Sequence, residues 1–202
     1  MDFDCIQATD HIRITPDTVA REVSFIDKNK HIGSIANSRT DFEIRYYFTP
    51  SLVNGGQVTI ISCSEGKITA RKIDYWFNLK KDYEKRKISK TKTTQLEPVG
   101  TWKEFFDTLE VVNFYYIPTM DLVRPKMKKY MTLDDGRVVE KRSMITDGAN
   151  YTFEMKKGSA IRTFSYHSPE AWYKVYDNVD ELKQVSELIN IFKVYLHEGN
   201  SH

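Results

Sequence analysis

The sequence has few of the features that would assign it to a common functional class. None of its apolar runs is long enough to cross a bilayer as a helix. Its first ten residues, "MDFDCIQATD", lack the basic start and the apolar core of a signal peptide. We therefore expect a cytoplasmic protein if Met1 is the native start. The alternative is an exported protein whose signal peptide has been removed.

Cysteine is scarce, with Cys5 and Cys63 as the two examples in 202 residues. They form no C-x-x-C pair, which argues against a zinc ribbon or a thioredoxin-like site. One disulfide and two free thiols both remain compatible with the sequence. The C-terminal "HEGNSH" does not have the H-E-x-x-H spacing of a helical zinc site. We expect no metal and no cofactor.

Catalytic and phosphate-binding motifs are also missing. The sequence contains no G-x-S-x-G nucleophile elbow, and "VNGGQ" lacks the lysine and hydroxyl residue of a P-loop. Net charge is only +2, which does not by itself indicate an anionic polymer as partner. The balance favours a protein that is not an enzyme.

The basic stretch 80–92 is the strongest sign of a nucleic-acid partner. Aromatic faces among basic side chains suit single strands, through base stacking and phosphate pairing. However, Asp82 and Glu84 interrupt the stretch and the rest of the chain is slightly acidic, so nucleic acid is an alternative rather than the main expectation. The candidate contacts are Trp76, Tyr83, Lys85, Arg86 and Lys87.

The first half of the chain is rich in strand patterns. In "DFEIRYYF", apolar residues alternate with Glu43, Arg45 and Tyr47, and this period of two indicates a strand that is buried on one face only. The lysines of "RKISKTKTT" are typical of an exposed edge strand. The predicted strand segments are 19–27, 41–48, 57–64, 67–79 and 86–94.

A helix is predicted over 101–112, where Thr101 and Glu104 have the spacing of a capping box. The second half then alternates strand patterns with Asp-Gly and Lys-Gly turns, which indicates an antiparallel meander. Its predicted strands are 129–133, 138–145, 150–155 and 160–166.

Two further helices are predicted at 168–176 and 179–196. Ser168 is suited to cap the first, with Pro169 at its first position, and Asn178 with Glu181 resembles a capping box for the second. The order of elements indicates an α+β fold, with an antiparallel sheet in two meander segments and helices packed on one face. We expect a single domain over 1–202, with a two-lobed organisation into 1–117 and 118–202 as the alternative.

The hairpin around Lys157-Gly158 contains one arginine among aromatic residues. A two-residue turn there places Phe153 opposite Arg162. We expect an arginine whose stem packs at the rim of the core while its guanidinium reaches solvent. The alternatives are that the guanidinium stacks on the Phe153 ring, or that it reaches an acid or a ligand at the end of the sheet. A longer loop would send Arg162 to the opposite face. Tyr166 and His167 follow at the end of the strand, beside a helix N-terminus that favours anions.

The segment "DGANYTFEMKKGSAIRTFSYHSPEAWYKVY", followed by "ELKQVSELINIF", resembles the C-terminal part of small bacterial proteins of unknown function. These share a D-G-x-x-Y-x-F-E strand, an R-x-x-S-Y-x-x-P-E strand end and a closing helix. They are often exported, and the resemblance implies the same here. The matching positions are Asp147, Gly148, Tyr151, Phe153, Glu154, Arg162, Ser165, Tyr166, Pro169 and Glu170.

From the sequence we therefore expect a non-catalytic binding or accessory protein, with a protein or a small molecule as its partner. Its candidate binding residues in the hairpin are Arg162, Tyr166 and His167. The enzymatic alternative is a small hydrolase in which Tyr166 or His167 works with a carboxylate, for which the candidates are Asp147 and Glu170.

Overall fold

A seven-stranded antiparallel sheet organises the fold. The structure, a computed structural model, describes residues 5–14, 26–78, 87–141 and 143–199. A separate hairpin of two short strands lies outside the main sheet. The strands are β1 (Phe42–Pro50), β2 (Gly55–Ser64), β3 (Lys67–Phe77), β4 (Ile88–Pro98), β5 (Tyr130–Thr132), β6 (Val138–Glu140), β7 (Ala149–Lys157), β8 (Ala160–His167) and β9 (Leu196–Glu198).

The order of strands in the main sheet is β8-β7-β1-β2-β3-β4-β9. β1 to β4 form a meander, and the β7–β8 hairpin returns from the second half of the chain to pair with β1. The α+β fold class is thereby confirmed. The predicted strand 138–145 shortens to β6, and most of the predicted strand 19–27 lies outside the described residues.

The helices cover one face of this sheet. Apolar side chains of α2 and α5 share a buried core with those of β1, among them Phe42 and Ile44. None of the helices within the described ranges is long and apolar enough to span a membrane. The helices are α1 (Cys5–Thr9), α2 (Trp102–Val111), α3 (Met120–Val123), α4 (Pro169–Val175) and α5 (Asp180–Val194).

The predicted capping box of α2 is confirmed. Thr101 Oγ1 accepts a hydrogen bond from the Glu104 amide at 3.2 Å, and the Thr101 amide donates to Glu104 Oε2 at 2.8 Å. Replacing Thr101 with alanine removes the first bond, and we expect it to lower the free energy of unfolding by about 1 kcal/mol. Urea denaturation measures this. The exposed Thr93→Ala change in β4 is the control, and equal effects would contradict the assignment.

The two later helices begin differently from the sequence prediction. Ser168 stands at the N-cap of α4 but does not cap it, because its Oγ accepts the amide of Ala149 at 3.2 Å instead. Val179, rather than Asn178, is the N-cap of α5, and no side chain caps that helix. Leu196 leaves the helix to pair in β9, which ends α5 two residues early.

The β7–β8 register differs by two residues from the predicted one. Lys157 pairs with Ala160 across the turn, so Arg162 lies opposite Met155 and Phe164 lies opposite Phe153. A shift of two residues keeps every side chain on its predicted face, because the side-chain period of a strand is two. Arg162 therefore remains among the aromatic side chains.

The structure corrects the sequence interpretation of β1 most clearly. The predicted solvent face, with Glu43, Arg45 and Tyr47, is as buried as the apolar face. Ile32, from the segment that precedes β1, packs in a second apolar cluster with Tyr47, Ile60 and neighbours from β3. The sheet therefore has a second covered face, opposite the helices.

A disulfide joins Cys5 in α1 to Cys63 in β2, with the two Cα atoms 6.0 Å apart. Both cysteines are fully buried within the helix-side core. The sequence was compatible with one disulfide or with two free thiols, and the structure has the disulfide.

Candidate functional site

Four buried charges lie on neighbouring strands of the second face. The sheet register places Glu43 opposite Lys156 and Arg45 opposite Glu154, so that positive and negative charges alternate both along and across β1 and β7. Relative exposures are 3%, 7%, 3% and 1% in that order. We call these four side chains the charge quartet. Their formal charges cancel, which is what allows four ions to stay buried together.

Glu43 has all of its acceptor capacity in use. Its Oε1 accepts from Arg45 Nε at 2.5 Å, and its Oε2 accepts from the hydroxyls of Ser38 at 2.6 Å, Thr40 at 3.2 Å and Ser62 at 3.2 Å. A carboxylate held by four donors is fixed in orientation. Glu43 therefore anchors the segment 38–40 to the sheet.

Arg45 is held by three acceptors but retains donors. Besides Glu43, its Nη1 donates to the carbonyl of Gly33 at 2.7 Å and lies 3.4 Å from the Tyr47 hydroxyl. Burial lowers the pKa of Arg45, but the electrostatic interactions and hydrogen bonds with Tyr47 and Glu43 outweigh it and leave the pKa above its ordinary value. Among the residues that the structure describes, none accepts a hydrogen bond from Nη2 of Arg45.

Tyr47 links Arg45 to Glu154 within the quartet. Its hydroxyl donates to Glu154 Oε2 at 2.8 Å. Burial first, and the Glu154 charge next, raise the pKa of Tyr47 far above its ordinary value. The phenol therefore stays neutral and acts as a hydrogen-bond donor rather than as a base. Lys156, the fourth charge, donates through Nζ to the carbonyl of Ser38.

A cavity of about 660 Å³ lies between this part of the sheet and the segment 27–40. We call it the polar cavity. Its volume falls within the range of small-molecule sites, which is roughly 300–1,000 Å³. Glu43 and Arg45 form part of its inner wall, and Arg71 and Gln95 continue that wall onto β3 and β4. Six hydroxyl residues also line the cavity: Ser34, Ser38, Thr40, Ser62, Ser64 and Thr69.

Most of the hairpin residues that the sequence singled out lie on β8, an edge strand of the sheet. Arg162 donates to the carbonyl oxygens of Tyr115, at 2.6 Å, and Ile117, and its guanidinium carbon lies 5.3 Å from the centre of the Phe164 ring. Of the alternatives for Arg162, stacking on Phe153 is thus replaced by stacking on Phe164. These contacts tie β8 to the connection that follows α2.

Tyr166 and His167 do not share a site, because neighbouring strand residues face opposite sides. Tyr166 is buried and its hydroxyl donates to the carbonyl of Pro118 at 2.6 Å. Burial, with the Glu181 charge next, raises the pKa of this phenol strongly. His167 is half-buried and lines a cleft of about 690 Å³ beside Trp172 and Tyr176.

The two candidate carboxylates lie apart from these side chains. Asp147 is exposed in the turn before β7, and Glu170 is exposed on α4, where it lies 3.6 Å from Lys193. Among the described residues, no carboxylate is hydrogen-bonded to the Tyr166 hydroxyl or to the His167 ring. The acid–base pair that a hydrolase would need is not assembled by these contacts.

The basic stretch is described only in part. Trp76 is 38% exposed on β3, and the Lys90 ammonium lies 5.3 Å from the centre of its ring. The Lys87 amide donates to the Asn78 side chain and closes the β3–β4 connection. Tyr83, Lys85 and Arg86 lie outside the described residues.

Sequence reasoning missed the polar cavity because it read the polar face of β1 as solvent-exposed. One signal was present: Glu43 and Arg45 are two residues apart, as are Glu154 and Lys156, so each strand carries opposite charges on one face. That signal has meaning only once β1 and β7 are known to pair.

Comparison with protein-family models, with curated proteins and with solved structures finds no match to this chain. Within the described ranges, no group of three or more His, Cys, Asp or Glu side chains is placed to hold a metal ion.

Proposed function

We propose that this protein is a non-catalytic binding protein that takes a small polar ligand into the polar cavity. The observation that carries the proposal is Arg45, a residue of 3% exposure that lines the cavity and whose Nη2 has no acceptor among the described residues. Nη2 is not one of the fully enclosed side-chain atoms that lack a partner, so it is open to the cavity. A ligand oxygen would supply the acceptor.

The chemistry of the lining supports binding rather than catalysis. A general base must be open to the proton that it removes, and Glu43 already accepts four hydrogen bonds. The other described polar side chains of the wall are hydroxyl, amide, ammonium and guanidinium groups, together with the carboxylate of Asp27. Such groups orient a ligand through hydrogen bonds and charge.

A cavity-filling variant tests the proposal. Thr69 is exposed on β3 at the rim of the cavity, and Thr93 is exposed on the same face of β4 outside it. In a thermal-shift screen of sugars, amino acids, hydroxy acids and nucleoside phosphates, we expect at least one class to raise the melting temperature. Thr69→Trp should abolish that shift, and Thr93→Trp should preserve it.

Two results would contradict the proposal. One is a screen in which no compound stabilises the protein, and the other is a shift that survives Thr69→Trp. The non-catalytic part is checked by incubating the stabilising compound with the protein and recording its NMR spectrum, which should not change. Conversion of the compound into a product would show that the protein is an enzyme and would contradict the non-catalytic part of the proposal.

The disulfide supports the exported alternative for the location of the protein. Disulfides persist in oxidising compartments and are rare in the cytosol. The Cys5–Cys63 bond therefore favours a compartment such as the bacterial periplasm or the cell exterior. Cell fractionation of the native gene product checks this, and a cytoplasmic protein with two free thiols would contradict it.

A further inference from the structure

Positive side chains outnumber negative ones in the lining of the polar cavity. Glu43 and Arg45 neutralise each other within the charge quartet and leave no surplus. The other described charges in the lining are three positive and one negative. The cavity therefore has a formal surplus of +2, which attracts an anion. The four groups are Lys28, Lys30, Arg71 and Asp27.

The positive groups are available to a ligand. Within the part of the chain that the structure describes, none of Lys28, Lys30 and Arg71 forms an ion pair. Arg71 stands on β3 in the same cross-strand row as Arg45, two strands away. A guanidinium at the rim and a buried guanidinium behind it can hold one anionic group, since charge-assisted hydrogen bonds of arginine to carboxylate or phosphate are the strong ones.

The remaining polar surface suits hydroxyl groups. The hydroxyls of Ser38, Thr40 and Ser62 donate to Glu43 and can still accept from a ligand. The other Ser and Thr hydroxyls and the side-chain amides of Asn29, Asn37 and Gln95 provide both donors and acceptors. The described lining contains no Phe, Tyr or Trp on which a flat ring could stack. A nucleobase or an aromatic acid would find no partner for its ring there, whereas a chain of hydroxyls would find both donors and acceptors.

We infer that the ligand of the polar cavity is a small hydroxylated anion, either a hydroxycarboxylate or a polyol phosphate. The inference rests on the proposed function, because it names the ligand class of that same cavity. The anionic group meets Arg45 and Arg71, and the hydroxyls meet the Ser, Thr and amide side chains.

Matched probes separate the contributions of charge and hydroxyls. Gluconate and glucitol 6-phosphate carry a polyol chain with an anionic group, and glucitol carries the chain without one. Acetate and inorganic phosphate carry the charge without the chain. By calorimetry, we expect at least one charged polyol to bind about tenfold or more tightly than glucitol and than its own simple anion. Which of the two charged polyols binds more tightly distinguishes a carboxylate from a phosphate ligand.

A pair of charge-removing variants locates the site. Arg71→Gln removes the cation at the rim, and we expect it to weaken binding of the preferred charged polyol about tenfold. Lys92→Gln removes an exposed cation on the neighbouring strand β4, on the helix-side face, and should leave binding unchanged. Raised salt should weaken the binding, since the rim charges are screened by ions.

The outcomes separate this inference from the proposed function. If glucitol binds as tightly as the charged polyols, or if Arg71→Gln has no effect, the ligand class is wrong. If only a neutral or cationic compound gives a shift that Thr69→Trp abolishes, the cavity is a binding site for another class of ligand. The inference about the ligand class is then wrong, and the proposed binding function stands. If no compound binds in a way that Thr69→Trp abolishes, both fall together.

Discussion

Replacing Glu43 with leucine is expected to lower the free energy of unfolding by about 3 to 5 kcal/mol, because it leaves Arg45 charged and buried without its partner. The same change removes the acceptor of the Ser38, Thr40 and Ser62 hydroxyls. These part-buried donors, left without their acceptor, add to the cost. Equilibrium unfolding in urea, followed by circular dichroism, measures the difference.

A double variant distinguishes loss of a charge partner from loss of packing. In Glu43→Leu/Arg45→Met both ions are replaced by apolar side chains, and such replacements are often neutral or stabilising. We therefore expect the double variant to be more stable than Glu43→Leu alone. Glu140→Leu, an exposed change on β6, is the surface control and should shift stability by no more than about 0.5 kcal/mol. The prediction is contradicted if Glu43→Leu has a small effect or if the double variant is less stable than the single one. Either result would mean that the cost of Glu43→Leu does not come from leaving Arg45 without its partner.

Removing the disulfide is expected to have the second large effect. The bond closes a loop between residues that are 58 apart in sequence, and without it the unfolded chain gains the conformational freedom of that loop. We expect Cys5→Ala/Cys63→Ala to lower the free energy of unfolding by about 2 to 4 kcal/mol. Alanine is chosen because both positions are fully buried and a serine hydroxyl would add a desolvation cost.

A reducing agent provides the control for this variant. The chain has two cysteines in all, so reduction of the native protein should shift its unfolding midpoint toward that of the alanine variant. The variant itself should not respond to the reductant. Titration of thiols in the denatured, unreduced protein should find none. Two reactive thiols there, or a native protein that does not respond to reductant, would mean that the bond does not form in solution.

The local elements of the fold were accessible from sequence. The α2 helix carries its start signal, Thr101 with Glu104, and its apolar face within eleven residues, so no distant contact is needed to recognise it. The faces of the β7–β8 hairpin followed from the period of two, even though the turn began one residue later than predicted. Helix caps were harder to predict from sequence. Ser168, for example, accepts a hydrogen bond from the amide of Ala149, which lies at the start of a strand nineteen residues away.

The candidate site was not accessible in the same way. Tyr47 and Glu154, which lie within hydrogen-bond distance, are 107 residues apart in sequence. Nothing local to either strand shows that β1 becomes a central strand with neighbours on both sides. Polar residues on a strand face normally indicate solvent, and here they indicate a cavity, because the segment 27–40 returns over that face.

By itself the sequence determined most of the strands, the helices α2, α4 and α5, which residues share a side of each strand, and that charge and aromatic residues concentrate in a few places. These properties depend on neighbours within a turn or two of the chain. The tertiary structure alone decided that Cys5 meets Cys63, that His167 and Tyr166 face apart, and that four opposite charges are buried together. Each of these depends on contacts between segments that are distant in sequence. The charge quartet shows the reason: only the pairing of β1 with β7 places each buried charge beside one of opposite sign, which offsets the cost of taking the ions out of water.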